Sequence, residues 1–388
     1  MKVRMYNVGF GDCFCLRDRK KSLLVDFGTN NSRIEGRPRR EIFDVIISDL
    51  STIKSKNLLL THFHMDHLSG LLYMMKKKDI SVDFGKIYLP DVFSKKEMSR
   101  TLVLLLLADL LKESGLPSRQ VSLFALVDAL LENKQNVELL SRGKLFENKY
   151  QALWPDTDVI RKETDEVYNR ICEDGKFKEV MDVLLEFAEK LRLIVWSMTA
   201  EGKKLTEQPE VCQKIIRAYV YEREFRRIKA LPDFKKLLAW LNENQINLRQ
   251  FKHKISIVFQ NARDGELNLL FTGDAQPEHL KMIAENYDGK LPLYEHYWCI
   301  KVPHHGTQGH YFDFSQYEPE NMLISNGIHF ANSKKESKEL RTSPLYGGLF
   351  YIPDTHMYCS NCDCCDSYEN GCSCKEADVI SPAYYKDI

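Results

Sequence analysis

The chain has 388 residues, of which 44% are hydrophobic and 28% charged, a composition of globular proteins that excludes the disordered and fibrous classes and leaves room for more than one average domain. Lys plus Arg equals Asp plus Glu at 55 each, so no global positive field holds nucleic acid by charge alone, and such binding must come from a local patch. The opening MKVRMYNVGFGDC lacks the apolar core and cleavage pattern of a signal peptide, and the longest apolar run, residues 102–107, is far short of the ~20 residues of a membrane span. A cytoplasmic protein without membrane contact is the expectation.

Residues 3–8 and 23–27 read as short strands closed by Gly9 and Gly28, and residues 57–60 as a third strand that delivers a histidine cluster. A helix over 68–77 and a strand over 86–89 follow. Residues 95–132 have helical spacing with Leu-rich faces, and 137–154 reads as strand pieces around Gly143. From 156 to 250 the chain becomes charged, helical and poor in glycine, as over 178–193, 209–229 and 233–243. Strand character returns over 255–260, 267–272, 297–302 and 321–326. The expected organisation is α/β: residues 1–155 and 251–388 form the two parts of one β-rich domain with helices outside, and 156–250 is a helical insertion.

Eleven cysteines are present, and six of them crowd between Cys359 and Cys374. That clustering suits reduced, metal-binding thiols better than an extracellular disulfide framework. Cys359, Cys362, Cys372 and Cys374 are candidate ligands of an additional structural zinc, with His356 as a further donor.

The chemistry concentrates in Thr61-His62-Phe63-His64-Met65-Asp66-His67, which follows a strand and precedes a helix. Alternate side chains of an extended stretch share a face, so His62 and His64 can bind one ion while Asp66 and His67 present ligands to a second. Imidazole and carboxylate together suit zinc and also manganese or iron. Two distant segments end in the same manner: Leu269-Leu270-Phe271-Thr272-Gly273-Asp274 and Lys301-Val302-Pro303-His304-His305-Gly306-Thr307. Each is an apolar strand that reaches a metal-capable residue next to glycine. A carboxylate such as Asp274 can bridge two cations, which two-metal sites hold ~3.5–4 Å apart.

Together with Asn7-Val8-Gly9-Phe10-Gly11-Asp12 and Leu24-Val25-Asp26-Phe27-Gly28, these segments resemble the metallo-β-lactamase fold, and more closely the hydrolase domain of ComEC-type DNA-uptake proteins and its soluble relatives. The resemblance covers about residues 1–90, 137–155 and 253–330, and leaves out the helical insertion and the cysteine-rich tail. It implies an αββα sandwich with two divalent ions at one sheet edge and a bridging hydroxide as nucleophile. It also implies His62, His64, Asp66, His67, Asp274 and one of His304 or His305 as ligands. His304 ends its strand first and is preferred; His305 then serves the substrate or the surrounding shell. Asp26 matches an early aspartate that orients a ligand. His253 sits near the place of a further histidine ligand that many relatives carry about twenty residues before the bridging aspartate.

Two cations lower the pKa of a shared water from 15.7 toward ~7, so no side-chain nucleophile is required. Asp66 is the candidate to steer that water and pass its proton on. A phosphodiester substrate calls for nearby cations: Arg39 and Arg40 after Pro38, Lys20 and Lys21, residues 76–78, and Lys214, Arg217, Arg223, Arg226 and Arg227 on the insertion are candidates, with Thr307 beside the paired histidines as a further substrate contact. The leading expectation is a phosphodiesterase or nuclease acting on DNA, RNA or nucleotides. Hydrolysis of a small ester, lactone or phosphocholine-like substrate is the second. The third is the effector subunit of a multi-protein, defence-type system that docks a protein partner through the insertion.

Overall fold

The structure is a computed structural model that describes residues 1–18, 21–34, 36–77, 83–112, 122–173, 175–204, 227–248, 250–325, 352–360, 378–379 and 385–388. The chain divides into two compact units, Met1–Gly85 with Arg142–Trp154 and Ser256–Ile388, and Lys86–Ser141 with Pro155–Ile255. Residues 86–141, expected with the β-rich core, therefore group with the helical residues.

The first unit is mixed α/β and contains two sheets. One runs Tyr385–Asp387, Lys2–Tyr6, Phe14–Arg17, Ser22–Val25, Lys56–Leu59, antiparallel until the last pair, where Val25 sits beside Leu59 in a parallel ladder. The other has eight strands in the order Asp378–Val379, His356–Cys359, Asn321–Ile324, Cys299–Lys301, Leu269–Phe271, Val258–Asn261, Tyr150–Trp154, Leu145–Phe146. Its first five are mutually parallel and the rest antiparallel. Parallel strands covered on both faces read as continuous apolar runs, which is why Ser22–Val25, Leu269–Phe271 and Cys299–Lys301 are buried throughout.

The two sheets meet through aromatic rings. Phe14 of the first lies edge-on to Phe271 of the second at 5.6 Å, and Phe271 stacks on Phe259 at 5.2 Å. Burying each such ring contributes roughly 1.5–3 kcal/mol. Helix Arg39–Ser51 buries Ile42, Phe43, Ile46, Ile47 and Leu50, one stripe at helical spacing, and Phe43 packs on Phe27 at 5.1 Å. Helix Pro277–Ala284 places His279 flat on Trp154 of the second sheet at 4.4 Å. Two sheets flanked by helices agree with the resemblance drawn from the sequence.

Helix Met65–Lys76 begins three residues earlier than its apolar periodicity predicts, with His64 in extended conformation ahead of it. Asp66 and His67 thus occupy its first turn, where a carboxylate meets the positive end of the helix dipole. A backbone frame fixes that turn: Asp12 N–H donates to Asp66 O at 3.0 Å, Phe27 N–H to His67 O at 2.8 Å, and Gly28 N–H to Asp12 O at 3.1 Å.

In the second unit the strands Ile87–Pro90 and Val137–Leu140 pair in parallel. Helices Ser99–Lys112, Ser122–Glu132, Thr157–Cys172, Lys178–Ser197, Phe234–Glu243 and Gln250–Lys254 accompany them. Asp156 caps the third of these by accepting hydrogen bonds from the N–H groups of Asp158 and Val159. Lys178–Ser197 buries Val180, Leu184, Phe187 and Leu191, and Phe187 meets Phe124 at 5.1 Å, so its apolar face is used inside the unit. No described helix is long and apolar enough to cross a membrane. Lys20, Lys214, Arg217, Arg223, Arg226, Cys362, Cys372 and Cys374 lie outside the described residues, so the candidate structural zinc and most of the insertion's basic face do as well.

Gly28 tests the frame. A methyl group on it would lie 2.6 Å from backbone atoms of Met65, Asp66 and Leu68, whereas one on Gly265 meets nothing within 4 Å. Gly28→Ala is expected to destabilise the protein by about 3 kcal/mol, the upper range for overpacking, and Gly265→Ala by less than about 0.5 kcal/mol, as at an open surface site. Urea denaturation of both variants measures the difference; equal stabilities would refute the account of the turn.

Candidate metal centre

Five segments of the first unit meet at one end of the sheets: the loop after Lys2–Tyr6, the loop after Ser22–Val25, the turn into Met65–Lys76, the turn after Leu269–Phe271, and the turn after Cys299–Lys301. Asp274 lies at their centre. Its Oδ2 is 3.2 Å from His67 Nε2, 3.6 Å from His62 Nε2, and 3.8 Å from Nε2 of both His304 and His305. His62 Nε2 is in turn 2.9 Å from His64 Nδ1. The Asp274 side chain is 1% exposed and the rings of His62, His67 and His305 are 0% exposed.

Two further carboxylates stand behind the imidazoles. Asp26 Oδ2 is 2.8 Å from His67 Nδ1 and accepts the Thr61 hydroxyl at 2.7 Å, while its Oδ1 accepts the Thr61 N–H at 2.8 Å. Asp12 Oδ1 is 3.1 Å from His305 Nδ1. A carboxylate on one ring nitrogen fixes the tautomer and turns the other nitrogen into a directed donor pair, the usual support of a ligating histidine. Asp26 holds this post from a left-handed backbone, φ 56°. The residue is strained, and the two Thr61 hydrogen bonds compensate.

His304 and His305 are also left-handed, φ 45° and 58°, and Gly306 follows at φ 77°. Three successive left-handed residues turn both rings toward the same carboxylate, which the order of the sequence could not have told. The rings then differ. His305 is enclosed, tilted against Phe10 at 4.5 Å, and its Nε2 is 3.5 Å from Asp66 Oδ2. His304 is 21% exposed, sits 2.5 Å from the Thr307 hydroxyl through Nδ1, and stacks on His310 at 3.9 Å.

Asp66 accepts the Asn30 amide on Oδ2 at 2.8 Å. Asn30 stands on the loop that leads toward Arg39 and Arg40, both exposed at the start of helix Arg39–Ser51. His253, a ligand candidate by sequence, is buried on helix Gln250–Lys254. Asp12, Asn30 and Lys301 were given no role by sequence reasoning, although Asp12 and Lys301 stand inside the motifs it singled out. Lys301 Nζ is 2.5 Å from Asp12 Oδ2, 3.6 Å from Asp274 Oδ1, and donates to the Gly273 carbonyl at 2.9 Å. A lysine inside an otherwise apolar strand was the available signal.

Electrostatics favour the charged forms of Asp274, Asp66, His67 and His305. Burial opposes ionisation of Asp274, but His67, His305, His304 and His62 outweigh it and hold its carboxyl well below the ordinary range. Asp66 is lowered against burial by His305 and His67. Asp26, in contrast, is raised, because burial dominates over its bond to His67. Burial would depress His305, yet Asp12 and Asp274 lift it to about 9, and His67 is raised well above its usual value by Asp274 and Asp26.

Several observations test the fit of a cation. His305 Nε2 is a buried polar atom without a hydrogen-bond partner. Such an orphan is costly and needs an explanation. The groups Asp66, His67, His305 and Asp12, Asp274, His305 each bring ligand atoms within 4.8 Å of one another. Borderline and hard donors of this kind suit a divalent first-row metal.

Residues 6–91 match the metallo-beta-lactamase superfamily. The match spans the glycine loops, the Asp26 turn and the histidine cluster, and that superfamily implies a metal-dependent hydrolase. No curated protein matches the chain.

Two outcomes follow for metal binding. Asp26→Ala should weaken metal affinity 10- to 100-fold, the usual cost of losing the partner of a ligating histidine; competition with a chromogenic chelator reads it. The raised folded-state value of His305 means that its protonated form contributes stability fully below its ordinary 6.5, lost as pH rises through about 9. A metal needs the neutral ring, so binding at pH 7.5 should release protons, and affinity should climb with pH until about 9. Calorimetry in two buffers of different ionisation enthalpy would show no difference if these rings were already neutral.

Proposed function

We propose that this protein is a two-metal phosphodiesterase or nuclease acting on nucleic acids or nucleotides. The observation that carries the metal reading is the Asp274 oxygen within 3.8 Å of four imidazole nitrogens. His62, His64 and Asp274 would hold one divalent ion, and Asp66, His67, His305 and Asp274 the other. His305 replaces His304 in the ligand set, because His305 is enclosed, is oriented by Asp12 and reaches Asp66. Zinc or manganese bound there supplies Lewis acidity and lowers the pKa of the attacking water.

The remaining roles belong to the protein. Asp66, ionised and steadied by Asn30, accepts the proton of the attacking water and returns it to the leaving oxygen. Thr307 holds His304 at the open side, where that ring can donate to an oxygen of the substrate. The buried rings of His62, His67 and His305 shield the inner side of the centre from bulk water, which strengthens the charge interactions there. Support for a phosphodiester comes from the ComEC-like signatures and from Arg39 and Arg40 at the end of the loop that carries Asn30. Guanidinium groups bind phosphate oxygens in bidentate fashion.

Elemental analysis of purified protein, paired with single-stranded DNA, double-stranded DNA, RNA, cyclic nucleotides and carboxyl-ester substrates, tests this reading. Two equivalents of metal and turnover of a phosphodiester are expected. Asp274→Ala should lose metal and reduce kcat/KM by on the order of 10³, a scale set by single electrostatic groups in active sites. Arg39→Ala with Arg40→Ala should raise KM for nucleic acids and spare small model substrates. Turnover of esters alone would replace the phosphodiester reading, and activity that survives chelation would end the metal reading.

A further inference from the structure

We propose that Lys301 is a resident cation of the metal centre, a positioning residue that keeps Asp12 and Asp274 in ligand-ready places before metal binds. The inference rests on the two-metal reading above.

Four carboxylates, Asp12, Asp26, Asp66 and Asp274, are buried within this one end of the unit. Like charges crowded in a medium of low dielectric repel strongly and favour unfolding or rearrangement unless cations face them. The rings of His67 and His305 also face these carboxylates, but the two-metal reading assigns both rings to the ions. Lys301 is different. Its ammonium ligates nothing, it is 1% exposed, and its three donors can be met by Asp12 Oδ2 at 2.5 Å, the Gly273 carbonyl at 2.9 Å and, at the longer distance of 3.6 Å, Asp274 Oδ1.

The placement also divides labour on Asp274. Lys301 lies on the Oδ1 side, while Oδ2 faces the imidazoles. Through Asp12 the same ammonium reaches His305, since Asp12 Oδ2 meets Lys301 and Asp12 Oδ1 meets His305 Nδ1 at 3.1 Å. One buried cation thereby ties the turn after Leu269–Phe271 and the loop after Lys2–Tyr6 to the ring that closes the site. Removing it should harm the metal-free protein most, because bound metal ions can take over part of its compensation.

The test is thermal unfolding of the full chain, with chelator and with added zinc or manganese, for wild type, Lys301→Met, Asp12→Asn and the double variant. With chelator, Lys301→Met should melt on the order of 10 °C lower than wild type, as expected when one partner of a buried ion pair is removed. Metal should recover at least half of that deficit. The double variant, which removes both charges, should melt higher than Lys301→Met with chelator. A deficit equal with and without metal would reduce Lys301 to a packing role and overturn the inference. So would a double variant no more stable than Lys301→Met, including the case in which neither folds. A wild-type protein whose melting temperature ignores both metals would instead sink the two-metal reading itself.

Discussion

The central constraint is the burial of negative charge. Asp274 and Asp12 are 1% exposed and Asp26 is 0% exposed, yet all three stand within hydrogen-bond or ion-pair reach of imidazole rings. A carboxylate withdrawn from water costs several kcal/mol unless charge and hydrogen bonds replace its hydration. Everything around the centre follows from that demand. The left-handed turns at Asp26 and at His304 to Gly306, the glycines that admit close backbone approach, and the buried lysine are all arrangements for bringing donors to these oxygens.

Much of the centre was legible in the sequence. An extended segment with alternate histidines before a helix presents its ligands through local geometry, so His62, His64, Asp66 and His67 could be named from spacing. Asp274 was legible only jointly with them, because one aspartate before a helix is ordinarily a turn or cap residue. The roles of His304 and His305 were not legible. Their order along the chain suggested which ring comes first, but both residues have positive φ angles, so chain order alone does not set where the two rings point. Asn30 gave no signal, since an amide in a polar loop is commonplace and its bond to Asp66 depends on how two distant loops meet.

The fold shows the same division between local and non-local information. Buried strands such as Leu269–Phe271 and Cys299–Lys301 announced themselves as apolar runs, with ends misplaced by one or two residues. The grouping of residues 86–141 with the helical unit was invisible in periodicity. A helix reports which of its faces is apolar but not which neighbour will cover it, and Ser99–Lys112 is buried on nearly every side.

The arrangement of ligands over two sheets has a consequence for how the site can arise. The segment with the family signature ends at residue 91, and it contains the histidine cluster, Asp12 and Asp26, but neither Asp274, Lys301 nor His305. That segment is half a vessel. Its rim is closed by turns more than 180 residues downstream, so the constellation of imidazoles and carboxylates comes together only when both halves of the polypeptide have been synthesised and joined.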